Sequence, residues 1–303
     1  MVDGLTHDSP SKPLVSVITA TRDMGEFVVE AVDSVLAQDY PAVESIVIDD
    51  GSRDGTAERL ARYADDPRVR VVHADARGQA AAKNHGLELA RGEIVGFCDA
   101  DDVWLPHKLS RQVPVFERAG RPALVYGEIE RMDEHGRPLP ALNDRRHRGH
   151  VAGELLRFNF IPFVTCLARR DVLLELGGFD TSMTMSIDYD LWLRVAAVHR
   201  VDYVDDVVAR LRIWPGQMST RTGEQLENAF RMTRRFVERH PHVVTSRQVR
   251  RAWCHTYTTR GLWHRAEGRS DEALADYVRA FRSWPFDARL ARSVANLMLR
   301  RGS

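Results

Sequence analysis

No stretch of this 303-residue chain approaches the ~18–20 consecutive apolar residues that cross a bilayer. Its opening, MVDGLTHDSPSKP, lacks the apolar core of a secretory signal. The expectation is a soluble or peripheral protein. Cysteine is scarce: Cys98, Cys166 and Cys254 stand alone, odd in number and without CxxC or His-rich spacing. That pattern argues against a disulfide framework and a zinc site, and fits a reducing, cytoplasmic compartment. Net charge is absent too, with 43 Lys+Arg against 43 Asp+Glu, which disfavours a general nucleic-acid binder. Nor is there a glycine cradle for phosphate. Ala20-Thr21-Arg22-Asp23-Met24-Gly25 stands where a dinucleotide dehydrogenase needs GxGxxG, and no Walker A motif occurs. Phosphate binding must then come from a metal.

What is present is a rhythm. The length exceeds the ~100–200 residues of one domain, so one large domain plus an appendage is expected. Residues 1–12 read as a polar, disordered tail. Leu14–Thr19, Val43–Ile48, Val69–His73 and Ile94–Cys98 are short apolar runs rich in β-branched residues, the pattern of buried strands. Between them lie helical patterns: Phe27 to Leu36, Ala57–Ala64 behind Asp54 as N-cap, and Gln79–Ala90. Strand–helix alternation predicts a doubly wound, mostly parallel α/β sheet with flanking helices.

Beyond Trp104 the rhythm loosens. Leu124–Arg131 with the turn Asp133–Arg137 predicts a hairpin, Arg145–His150 a basic loop, and Phe163–Leu167 a strand. Asp188–Val198 predicts a helix with Leu191, Trp192, Val195 and Ala196 on one face. Val201–Ile213 reads as two short strands. From about Glu224 the chain reads as helices, broken near Gly268 and at Trp284-Pro285, forming a cap on the main domain. The boundaries expected are 13–222 for the main domain and 223–303 for the helical region. Trp104 and Trp192 read as packing residues, and His107 as a surface residue at a helix start.

Ligands of open parallel sheets sit beyond the carboxyl ends of the strands. The second strand ends in Asp49-Asp50-Gly51-Ser52 and the fourth in Asp99-Ala100-Asp101-Asp102. Crowded carboxylates repel one another, and a divalent cation relieves that cost. Oxygen ligands alone point to a hard ion, Mg2+ or Mn2+, able to neutralise a diphosphate leaving group. Turn formation and helix capping are the plainer roles for some of these aspartates, Asp54 and Asp49 in particular.

Six segments in order resemble the family-2 inverting glycosyltransferases with the GT-A fold: VSVITATRD, VIDDGSRDGT, GQAAAKNHGLELARGEIVGFCDADD, ELGGFD, DYDLWLR and RIWPGQMS. The resemblance covers roughly residues 13–220. It implies a GT-A, Rossmann-like domain that transfers a sugar from a nucleotide-sugar donor, commonly a UDP-sugar, to a hydroxyl of a saccharide or lipid-linked acceptor. It implies Thr21, Asp50, Lys83 and Asp99 as donor-binding residues. Asp101, with Asp102 beside it, would hold the metal, and Asp188 would be the catalytic base. A helix start favours the ionised form of such a carboxylate. Three positions depart from the family pattern: Arg22 replaces an aromatic residue, Ile187 an acidic one and Trp214 a histidine. These bear on base identity and on the metal.

A non-catalytic nucleotide-sugar binding protein is therefore one alternative. A nucleotidyltransferase is another, although the phosphate loop it would need near the first strand is missing. Arg279, Arg282, Arg289, Arg292, Arg300 and Arg301 make the C-terminal surface basic. That surface is either a solvated face or a peripheral contact with anionic lipid at the inner membrane face.

Overall fold

The computed structural model describes residues 12–141, 146–217 and 222–301. The expected tail, Arg145 of the basic loop, and Met218 and Ser219 of the closing segment lie outside the described residues, as do the side chains of Arg300 and Arg301. The strands are β1 (Val15–Thr21), β2 (Val43–Asp49), β3 (Val69–His73), β4 (Ile94–Phe97), β5 (Val103–Trp104), β6 (Leu124–Met132), β7 (Pro138–Leu139), β8 (Leu167–Arg169) and β9 (Val201–Arg212). The helices are α1 (Val28–Leu36), α2 (Thr56–Leu60), α3 (Gln79–Leu89), α4 (Lys108–Gln112), α5 (Ala152–Arg157), α6 (Arg170–Glu175) and α7 (Ile187–Val198). They continue as α8 (Thr222–Arg239), α9 (Ser246–Ala266), α10 (Ser270–Ser283) and α11 (Ala288–Arg301).

One sheet runs β3-β2-β1-β4-β8-β6-β9-β5, with β7 paired to β6. β1, β2, β3 and β4 are parallel, and β6 and β9 pair parallel to each other. β8 lies antiparallel between β4 and β6, and β5 is antiparallel to β9. The β1–β4 half is thus parallel, as the alternation predicts, and the sheet as a whole is mixed. β1 and β2 are covered on both faces, which is why they read as continuous apolar runs. Gly86 lets α3 lie flush on β1, because a Cβ there would sit 2.5 Å from Ile18 Cγ2.

Three local expectations change. Phe163–Thr165 is a 3-10 turn, and the strand begins only at Leu167. Val201–Arg212 is one twelve-residue strand. Its acidic middle, Asp205-Asp206, is taken up as a register irregularity opposite Tyr126–Ile129 instead of breaking the strand. Gly55, not Asp54, is the N-cap residue of α2. Asp54 accepts from Thr56 N at 3.1 Å and from Gly25 N at 2.9 Å, tying the loops after β1 and β2.

The main core joins Ile18, Ile48 and Phe97 of the sheet to Leu191, Trp192 and Val195 of α7. Met232 and Phe236 of α8, Val244, and Ala252 of α9 belong to the same cluster. The helical region is therefore packed into the core of the sheet domain. A smaller cluster of Cys254, Ala273, Tyr277, Ala280 and Leu290 holds α9, α10 and α11 together. Among the described residues no helix is long and apolar enough to cross a membrane.

Candidate active site

The carboxyl ends of β1, β2, β3 and β4 open on one edge, and the loops there are cross-tied. Asp23, at φ 52°, donates its amide to Ser52 Oγ at 2.9 Å and accepts from Arg53 N at 2.7 Å. Asp49 accepts from Ser52 N at 3.0 Å and meets His73 Nδ1 at 3.0 Å. Asp50 accepts from Arg77 N and Gly78 N, both at 2.8 Å, one on each oxygen. Only 4% exposed, Asp50 braces the turn that starts α3. The buried hydroxyl of Thr21, 3% exposed, has no hydrogen-bond partner among the described residues.

α3 carries Lys83 to the end of β4. With the side chain 3% exposed, its ammonium sits 2.9 Å from Asp99 Oδ1, 3.2 Å from Gln79 Oε1 and 4.9 Å from the Phe163 ring centroid. Asn84, one residue on, accepts from Phe179 N at 2.8 Å and donates to Phe179 O at 2.9 Å. Gly178 makes that approach possible: at φ +64°, a Cβ would lie 2.4 Å from Asn84 Oδ1.

The acidic loop after β4 splits into three environments. Asp99 is one-third exposed and faces Lys83. Asp101 accepts from Trp214 Nε1 at 2.8 Å. Burial and then the Asp99 charge push its carboxyl above the ordinary range, against the Trp214 bond. Asp102 turns inward, 3% exposed, and accepts from Arg212 N at 2.9 Å. Burial pushes it well up, with the Asp101 and Asp99 charges adding to the effect. Asp102, expected to share the metal with Asp101, is thus buried against Arg212 N. The open neighbour of Asp101 is Asp99.

Arg212 organises the same loop. Its guanidinium donates to Asp101 O, Glu134 O and Glu30 Oε2 at 2.8, 3.1 and 2.6 Å, and lies 4.7 Å from the Phe27 ring. One side chain at the end of β9 thus binds the loop after β4, α1 and the β6–β7 hairpin. The segment RIWPGQMS opens on this arginine, but no spacing in the sequence announces its three partners.

Asp188 enters from α7. Ser186, the residue before that helix, is held left-handed at φ 58°, a strained state for a residue with a side chain. Asp188 is partly buried and accepts from Asn159 Nδ2 at 3.1 Å. Its carboxyl is raised, mainly by burial and further by the Asp99 charge; the Tyr189 amide, Asn159 and Lys83 oppose the rise. Burial therefore overrides the helix-start effect, which alone would lower it. Asp188, Asp99, Asp101 and Lys83 form one electrostatic cluster drawn from α7, the β4 loop and α3. Asn159 gave no sequence signal, because it lies in the irregular stretch after α5.

The loop before α7 is held from outside the sheet. Gln79 Nε2 donates to Thr184 O at 2.9 Å, Asn228 Nδ2 to Met185 O at 3.1 Å, and Thr184 meets Glu224. Asp190, 4% exposed, is bound by Arg194 at 2.8 Å and by Arg235 of α8. Arg235 also reaches Asp180 at 2.7 Å, and with Ser182 holds that carboxyl down at about 2.

Among the described residues no group of three or more His, Cys, Asp or Glu forms a ready metal cage. Asp99 and Asp101 are two nearby carboxylates whose mutual repulsion a cation would relieve, as the raised Asp101 indicates. Such a pair fits a hard divalent ion that takes its remaining ligands from substrate phosphate and water.

An uncharacterized glycosyltransferase of Rickettsia felis is 28% identical over 225 residues, 71% of this chain but only 36% of that protein. The succinoglycan biosynthesis protein ExoU of Rhizobium meliloti is 32% identical over 200 residues, 60% of this chain and 57% of that one. The chain thus spans roughly a third to somewhat over half of these two relatives. The mannosyltransferase PcManGT from Pyrobaculum calidifontis, solved with GDP-Man and Mn2+, shares the fold. Its TM-score is 0.65 at 19% identity, covering 96% of this chain and 81% of that one. The description "Glycosyl transferase family 2" matches residues 16–177, more than half of the sequence, and the chain belongs to that family.

Proposed function

We propose that the protein is an inverting glycosyltransferase moving a sugar from a nucleotide diphosphate-sugar to a hydroxyl of a saccharide or lipid-linked acceptor. The observation that carries this reading is the cluster of Asp188, Asp99, Asp101 and Lys83 at the carboxyl edge of the sheet. The ExoU relative supports a role in polysaccharide synthesis. A general base must take up a proton, and the upward shift of the Asp188 carboxyl by burial favours that. In this reading Asp188 accepts the acceptor proton as the oxygen bonds to the anomeric carbon. The bond from that carbon to the diphosphate oxygen breaks, the diphosphate leaves with its electron pair, and configuration inverts.

Thr21, Asp50, Lys83 and Asp99 serve the donor. The Thr21 hydroxyl offers a free hydrogen bond, Asp50 fixes the turn leading into α3, and Lys83 sets a positive charge beside the leaving group. Asp101 with Asp99 would hold Mn2+ or Mg2+, an ion that neutralises diphosphate charge when bound. The GDP-Man and Mn2+ of the mannosyltransferase support such a pairing of donor and ion.

The indole bond to Asp101 favours one competing reading, a nucleotide-sugar binding protein without turnover, because it occupies a lone pair of the metal-side carboxylate. A panel of UDP- and GDP-sugars, with and without Mn2+, separates the two. Release of nucleotide that requires Asp188 supports transfer. Binding with no turnover on any donor supports the alternative.

A further inference from the structure

α10 buries Ala273, Tyr277 and Ala280 and leaves its opposite side to solvent. On that side Val278 is 42% exposed and Phe281 60%, and just past the helix Phe286 is 82% exposed. Trp284 stands edge-on to Phe286, ring centroids 5.8 Å apart. Large apolar side chains grouped at one exposed corner mark an interaction site more often than chance exposure does.

Around the last turn of α10 the exposed charge is basic, the exposed carboxylates Asp271 and Glu272 lying in the helix's first turn. Arg282 and Arg289 are exposed on either side of it. Arg247 and Arg250, from the first turns of α9, lie 5.4 and 6.0 Å from the Trp284 ring centroid. The carboxylates of residues 273–294, Asp276 and Asp287, are both committed. Asp276, 1% exposed, binds Arg260 and Arg279. Asp287 meets Arg157 at 3.4 Å and accepts from Arg289 N and Leu290 N at the start of α11. Exposed aromatic rings ringed by uncompensated guanidinium groups complement an anionic lipid surface, where the rings enter the headgroup boundary and the cations meet phosphate.

We propose that the α10–α11 corner docks on an anionic bilayer through Phe281 and Phe286, with Arg247, Arg250, Arg282 and Arg289 on the headgroups. The corner is joined to the site: Arg157, the partner of Asp287, lies two residues before Asn159, which binds Asp188. If the transferase reading holds, docking brings the base side of the cleft to the surface from which a lipid-linked hydroxyl is presented. The docking itself does not rest on that reading.

The test is cosedimentation of the full chain with phosphatidylglycerol vesicles and, separately, phosphatidylcholine vesicles. Binding to the anionic vesicles is expected, weakening as salt rises. Arg282→Gln and Arg289→Gln should each lower it by about fivefold. The double change Phe281→Ser with Phe286→Ser should lower it further and leave nucleotide-sugar turnover in free solution unchanged. Equal binding to both vesicle types, or variants that sediment like the native chain, would overturn the proposal. So would light scattering showing a dimer that the serine variants dissolve, since a second copy would then be the occupant.

Discussion

Trp214 donates its indole N–H to Asp101 Oδ2 at 2.8 Å across 113 positions of sequence. The bond orients the carboxylate and lowers its raised pKa, so it eases competition from protons. We expect Trp214→Phe to weaken Mn2+-dependent donor binding by about 10-fold, the usual cost of losing a group that orients a metal ligand. Calorimetry with and without Mn2+ measures this. Tighter binding in the variant would mean instead that the indole obstructs the ion.

Asp188→Asn keeps the size and polarity of the side chain and removes the proton acceptor. Transfer should fall by about 10²–10⁴-fold with donor affinity nearly unchanged. A near-native rate in the variant would remove Asp188 as the base.

Asn159→Ala should shift the pH dependence of transfer. Asn159 lowers the carboxyl of Asp188, so its loss raises that group further. A base must be ionised, so activity should disappear at a higher pH on the acid side than in the native enzyme. A pH–rate profile with an unmoved acid limb would show that the hydrogen bond does not tune the base.

Asp190, two residues from the base, belongs to a different machinery. Buried between Arg194 and Arg235, it should be costly to neutralise. Asp190→Asn is expected to destabilise the fold by about 3–5 kcal/mol, the range for breaking one side of a buried pair. Thermal unfolding should separate the two variants, with Asp188→Asn close to native.

Lys108 is fully buried, bound to Gln112 Oε1 at 2.5 Å and Thr165 O at 2.6 Å, and burial brings it from 10.5 down to about 7. Between those values the unfolded chain holds a proton that the folded chain has lost. Stability should therefore rise with pH from about 7 toward 10.5, and below about 7 the full penalty applies. Lys108→Met should flatten that slope in denaturant titrations taken across this range.

Much of the site was legible because local patterns carry it. The buried runs of β1, β2 and β4 fix the sheet, and the aspartates after β2 and β4 then fall at its carboxyl edge. What stayed hidden depends on partners far apart in the chain. Asp102 is chemically the same as Asp101 until Arg212, 110 positions away, turns it inward. Asp190 looks like an exposed helix residue until Arg235 reaches it. The acidic middle of β9 reads as a break because a register irregularity has no sequence signature of its own. Helix-start reasoning misjudged Asp188, since burial depends on packing that periodicity does not specify.

The grip of α8 on the loop before α7 has a consequence for the order of synthesis. Asn228 and Arg235 lie 43 and 45 positions beyond the residues they bind, Met185 and Asp190. A nascent chain that has just released α7 has the hold of Gln79 on Thr184 but still lacks the two bonds from α8. On the proposed assignment, the base would reach its final seat only after α8 has emerged and packed Met232 and Phe236 into the core, so a stalled product would be expected to lack transfer.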